Sequence, residues 1–95
     1  MPLNPVYKEQ FKVLLSSKKF RHLKAQIDKI CVKLCANPRS CNAHQLHGEL
    51  SIYWSADIPK GGRGSERIIF RINDAKNEDV PLREIWFINI LDTHD

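Results

Sequence analysis

Residues 46–72 read LHGELSIYWSADIPKGGRGSERIIFRI, and the rest of the chain is organised around them. Leu50, Ile52, Trp54 and Ala56 alternate with Ser51, Tyr53, Ser55 and Asp57, a period of two that predicts a strand over 50–57. Ile68, Phe70 and Ile72 alternate with Arg67, Ile69 and Arg71, which predicts a second strand over 66–73. Between them, Pro59-Lys60-Gly61-Gly62-Arg63-Gly64-Ser65 suits neither helix nor strand. The pattern is a β-hairpin with a basic tip. Its sharper form is a sheet face carrying Ser55, Arg67 and Arg71 beneath a loop carrying Lys60 and Arg63, which suits a phosphate backbone. The plainer form is an exposed face whose arginines meet acidic side chains, and a loop that needs glycine only to turn.

Upstream, Tyr7, Phe11, Leu14 and Leu15 recur at helical spacing, and Ser16-Ser17 interrupts them, either serine being a candidate cap for the next helix. Phe20, Leu23, Ile27, Ile30, Cys31 and Leu34 then form one apolar stripe, which Asn37-Pro38 ends. The short link predicts an N-terminal αα-hairpin. Pro2 and Pro5 leave the first residues extended or irregular. Downstream, residues 84–91 read EIWFINIL, apolar on both faces, which predicts a strand over 84–92 buried on both sides, hence central or covered by the helices. Helices followed by an antiparallel meander give an α+β fold, with 1–95 as a single domain and the helices packed on one face of a small antiparallel sheet.

Charge is divided unevenly. Residues 1–48 hold nine Lys or Arg against Glu9 and Asp28, whereas 49–95 hold six against nine acidic residues. The basic front half fits either a solvated helix surface or a polyanionic or acidic partner. No apolar run approaches the roughly 20 residues of a membrane helix, and MPLNPVYKEQ has no secretory character, so no membrane association and a cytoplasmic location are expected. Three cysteines without a secretory signal argue against a disulfide framework, and Cys31 and Cys35 share a helix face as small packing residues. Cys35, Cys41, His44 and His47 are spaced C-x5-C-x2-H-x2-H, which does not match the common zinc patterns, so no metal or other cofactor is expected. The glycine loop lacks the Lys-Ser/Thr ending of a phosphate-binding P-loop.

The phrases LHGELSIYWSADI and SERIIFRI, the Asn37-Pro38-Arg39 ending of the helical region, and the terminal Leu91-Asp92-Thr93-His94-Asp95 together resemble the RelE/ParE superfamily of type II toxin–antitoxin toxins. The YoeB-like and RelE-like mRNA interferases are the nearest branch, and the likeness runs from about Lys8 to Asp95. It implies a toxin held by a cognate antitoxin and acting as a ribosome-dependent mRNA endonuclease. Cleavage in such enzymes is metal-independent, by attack of the ribose 2′-hydroxyl on its own phosphate. By position, Arg67 matches the phosphate-stabilising arginine and His94 the proton-transferring histidine. Lys60, Arg63, Arg71 and Ser55 would contact RNA. The chain departs from the pattern in carrying Trp54 and Ala56 where RelE-like members place lysines, and Asp95 where a tyrosine is common. Only Glu49 stands near the glutamate that YoeB-like members use upstream of the hairpin. These departures keep an alternative open: a non-catalytic or ParE-like toxin acting on a protein such as gyrase, or an antitoxin-binding module without activity.

Overall fold

A computed structural model describes residues 3–58, 66–75 and 82–92. Strand β1 (Asn4–Tyr7) precedes helices α1 (Glu9–Leu15) and α2 (Lys24–Ala36). Strands β2 (His44–Gln45), β3 (Trp54–Ile58), β4 (Glu66–Ala75) and β5 (Leu82–Asp92) follow. All five strands join one sheet in the order β1-β5-β4-β3-β2. Strands β2 to β5 pair antiparallel, whereas β1 runs parallel to β5.

The α+β class therefore holds, with two corrections. The helices follow a first strand instead of opening the chain as an N-terminal hairpin, and the sheet is mixed instead of wholly antiparallel. Pro5 does not prevent β1 from forming because β1 is an edge strand, where a missing N–H costs no interior ladder bond. The strand is pinned at both ends: Leu3 N donates to Cys35 O at 2.8 Å and Lys8 N to Phe87 O at 3.0 Å. Tyr7 belongs to β1, not to a helix, yet its ring still meets Phe11 at 5.9 Å between centroids and stacks on Phe87 at 5.3 Å.

The apolar stripe of the second helical stretch behaves as its spacing demands. Phe20, Leu23, Ile27, Ile30, Cys31 and Leu34 are all buried, the first two on the turn of 3-10 helix leading into α2. Asn37 leaves the helical region with φ −151° and ψ 102°, and its side chain accepts from Arg39 N at 3.1 Å, closing the helix before Pro38. The two serines end α1 and do not cap α2. Ser16 Oγ donates back to Val13 O at 3.1 Å, and Ser17 Oγ bonds Leu14 O.

Phe11, Ile27 and Leu34 from the helices meet Ile68, Phe70, Ile85 and Phe87 from the sheet in one core, with Ala56 and Ile58 from β3. This is one face of the sheet. The register places Arg67, Ile69 and Arg71 of β4 on the other face, with Asp57 and Ser55 of β3 and Trp86, Asn89 and Leu91 of β5 as neighbours. Strand β5 is central, as expected, but it is not covered on both sides: Ile85, Phe87 and Ile90 are buried, while Trp86 and Ile88 are half-buried and Leu91 is exposed. Its two-sided hydrophobicity reflects an apolar outer face, not a second covering layer. The first hairpin strand starts at Trp54, not at residue 50. Gly48 adopts φ 68°, residues Gly48–Leu50 form a 3-10 turn, and Gln45 Nε2 donates to Ser51 O at 2.6 Å, which together hold residues 48–51 out of the sheet.

Candidate functional site

The outer face of the sheet gathers the polar residues that the hairpin pattern pointed to. Asp57 and Arg67 are direct cross-strand partners, Ser55 pairs with Ile69, and His44 pairs with Ser55. A turn sets this edge. Cys41 and Asn42 both take left-handed backbone, with φ of 58° and 55°, and Ala43 N closes on Ser40 O at 3.0 Å. Two positive φ values in succession define a type I′ turn. It lets Asp57 N donate to Cys41 O at 3.2 Å, ahead of the start of β2. Asp57 thus borders a cleft of about 330 Å³ that it shares with Ile30, Lys33, Ser40, Cys41 and Asn42.

Arg67 Nε stands 3.9 Å from Asp57 Oδ1. That is ion-pair range but too long for a hydrogen bond, and Nε is buried with no hydrogen-bond partner among the described residues. The two side chains are about 40% exposed, so the pair adds at most about 1 kcal/mol to stability. Nε is thus left unsatisfied beneath a side chain that is itself about 40% exposed on this face. Ser55 shares this face by register but is fully buried, and its Oγ also lacks a partner among the described residues. Arg71 lies farther along β4, its guanidinium over the Trp86 ring at 5.4 Å.

Lys60, Arg63 and His94 lie outside the described residues. The chain ends that bear them are placed. Residues 59–65 join Ile58 to Glu66, which are register partners one step from the Asp57–Arg67 pair. Strand β5 ends at Asp92, one residue after the Arg67 partner Leu91 and two before His94. Arg67 therefore sits where both connections leave the sheet.

Beside Arg67 runs a shallow groove of about 300 Å³, lined by Leu46, Leu50, Tyr53, Ile69, Ile88, Asn89 and Leu91. Leu50, Leu91 and the nearby Ile52 are 54%, 38% and 51% exposed, so this apolar surface is open to solvent. Asp57, Tyr53 and this groove were not singled out as site residues from the sequence, although the parity that puts Ser55 on the outer face puts Tyr53 and Asp57 there too. Trp86 was hidden in a run read as buried on both sides. Among the described residues, no three His, Cys, Asp or Glu side chains gather as metal ligands would, so Cys35, Cys41, His44 and His47 form no such cluster. Cys31 is a core thiol. Burial, reinforced by negative charge at Cys35 and Asp28, pushes its pKa from 9.0 up to about 12, and burial also raises Cys35. No helix among the described residues is long and apolar enough to cross a membrane.

No protein-family model and no curated protein sequence matches the chain. Solved structures do. A chain of the toxin–antitoxin complex RelBE2 from Mycobacterium tuberculosis superposes with a TM-score of 0.69 at 20% identity, covering 95% of this chain and 96% of that one. The YoeB/ParE toxin from Agrobacterium tumefaciens superposes with a TM-score of 0.69 at 12% identity, covering 97% of this chain and all of that one. The likeness drawn from the hairpin motifs is thus borne out in three dimensions over nearly the whole chain, and the protein has the fold of the RelE/ParE toxins.

Proposed function

We propose that this chain is the toxin of a type II toxin–antitoxin pair, a single-domain cytoplasmic protein that cleaves mRNA on the ribosome. The observation that carries the reading is Arg67: a cationic donor about 40% exposed on the outer face of a toxin-type fold, held only loosely by Asp57 at 3.9 Å. Such a donor suits a phosphate oxygen whose negative charge grows as the adjacent 2′-hydroxyl attacks. Arg67 holds the scissile phosphate. His94 transfers a proton, either taking it from the 2′-hydroxyl or giving it to the leaving 5′-oxygen. Lys60, Arg63 and Arg71 hold neighbouring phosphates without reading sequence. The reaction needs no metal, because the nucleophile is the substrate's own hydroxyl. A cognate antitoxin with an acidic segment binds the basic first half of the chain.

Two observations favour a second reading. Asp57 places a carboxylate beside Arg67, where it repels phosphate, and the exposed apolar groove next to it suits a protein surface. On this reading the chain is a ParE-like toxin acting on a protein such as gyrase, or an antitoxin-binding module. Induction in a bacterial host separates the two. Growth arrest with mapped mRNA cuts that disappear in Arg67→Ala and His94→Ala supports the nuclease. Arrest with intact mRNA and lost DNA supercoiling supports the protein target. Absence of arrest, together with a stable complex with the product of a small gene found beside this one, supports the binding module.

A further inference from the structure

The outer face carries a second cluster, four residues along β4 from Arg67. Trp86 of β5 lies in register between Val6 of β1 and Arg71 of β4. Lys8 Nζ stands 4.1 Å from the Trp86 ring centroid, and the Arg71 guanidinium carbon 5.4 Å from it. The indole N–H donates to Glu84 Oε1 at 3.3 Å, and Asn73 Nδ2 donates to the same oxygen at 3.4 Å. One ring therefore holds two cations, Lys8 from the junction between β1 and α1 and Arg71 from β4. Glu84 is the carboxylate of the cluster, and its Oε1 accepts both of these donors. Neither Lys8 nor Arg71 forms an ion pair with a carboxylate among the described residues.

We propose that Lys8, Trp86 and Arg71 form a second subsite on this face, one that binds the sugar–phosphate backbone of single-stranded RNA next to the phosphate at Arg67. The inference rests on the nuclease reading above and adds Lys8 and Trp86, which that reading does not use, to Arg71, which it does. Ring contact satisfies the cations electrostatically while leaving their N–H donors for phosphate oxygens. Because the ring already orders two long side chains, less entropy is lost when a polyanion binds them. Arg67 and Arg71 are about 13 Å apart at the rise of a strand, so one phosphate cannot span both and the ligand must be a chain. A base arriving at the cluster stacks on the indole by displacing one cation onto the phosphate, a sequence-tolerant exchange. An acidic peptide would use the charges and have no use for the ring.

The test uses the purified full-length chain with 2′-O-methyl RNA, which cannot be cleaved, as a dinucleotide and as an octanucleotide. Affinity is measured over a salt series for wild type, Arg67→Ala, Trp86→Leu and the double variant Lys8→Gln/Arg71→Gln, with circular dichroism as the check on folding. The octanucleotide should bind wild type more tightly than the dinucleotide. Trp86→Leu should weaken the octanucleotide roughly five- to tenfold with an unchanged salt slope, since it removes no charge. The double variant should lower the slope by about 1.4, the value for two lost phosphate contacts on a single strand. Arg67→Ala should weaken both lengths. If Arg67→Ala weakens binding but folded Trp86→Leu and the double variant bind the octanucleotide like wild type, the subsite is overturned and the nuclease reading stands. If those variants lose a polyglutamate peptide instead of RNA, the cluster serves an acidic protein segment and the proposal is again overturned. If wild type binds neither RNA, the subsite is overturned, whereas the nuclease reading stands or falls on the mRNA cuts mapped after induction.

Discussion

Asp57 and Arg67 face each other across β3 and β4, 3.9 Å apart at Oδ1 and Nε, close enough to attract and too far to share a hydrogen bond. A carboxylate in that position holds an arginine in place while competing with any phosphate that approaches it. Asp57→Asn should separate these effects. Removing one negative charge about 4 Å away should tighten RNA binding roughly tenfold, given Coulomb energies of one to a few kcal/mol near a protein surface. Stability should change by less than about 1 kcal/mol, because both side chains are well exposed. Binding isotherms and urea melts measure the two. Weaker binding in the variant would show that orienting Arg67 matters more than the repulsion.

Arg67→Ala is the complementary change. If its guanidinium stabilises charge only as the phosphate is attacked, cleavage should fall by about 3 kcal/mol, close to 150-fold, with a smaller loss in binding. Single-turnover cleavage against bound-RNA affinity gives the split. Equal losses in both would reduce Arg67 to a binding residue.

The core predicts a different scale of effect. Phe87 is fully buried and lies 5.3 Å from Tyr7, 5.6 Å from Phe11 and 6.5 Å from Phe70, ring to ring. It ties β1, α1 and β4 to the central strand. Phe87→Ala should cost about 3–5 kcal/mol in urea unfolding, and a loss under about 1 kcal/mol would mean the cluster is looser than its geometry.

Periodicity made the helix stripe and the β4 alternation legible, because a period of 3.6 or 2 is a local property. The residues it missed depend on pairings far apart in sequence. Strand β1 is four residues containing a proline, and only its parallel register with Asn4 opposite Glu84 makes it a strand. Leu50 and Ile52 alternate correctly with Trp54, yet the left-handed Gly48 and the Gln45 side chain hold the 48–51 segment in a turn. At the site, the shared face of Arg67 and Arg71 followed from parity alone. Placing Asp57 opposite Arg67 requires knowing the hairpin register, and placing Lys8 over Trp86 requires knowing that β1 exists.

The thiol of Cys31 makes stability depend on pH in a set direction. Its folded pKa, about 12, lies above the ordinary 9.0, so below pH 9 its contribution is whole. Above pH 9 the unfolded chain gives up the proton first, the folded state binds more protons, and stability falls as pH climbs towards 12. Tyr7, raised above 10.0 chiefly by burial, adds to the same decline at higher pH. Urea midpoints at pH 7, 9 and 11 should drop across the last interval. Cys31→Ala should start lower because of its cavity and show a shallower drop. A parallel drop in both proteins would place the titration elsewhere.

Ser55 offers the sharpest distinction between a packing residue and a ligand contact. It is fully buried, and its Oγ has no partner among the described residues. An unpaired buried hydroxyl is costly, and alanine removes it without opening more than one atom of space. If Ser55 serves only the sheet, Ser55→Ala should be neutral or stabilising by about 1 kcal/mol and leave RNA affinity unchanged. If binding RNA shifts the outer face enough for Oγ to reach a phosphate or a ribose hydroxyl, the same variant should keep its stability and bind RNA several-fold more weakly. Thermal melts with and without 2′-O-methyl RNA read both quantities from one sample. Gained stability with unchanged RNA binding would remove Ser55 from the RNA-contacting set, while Arg67 and Arg71 would keep their places on the face it supports.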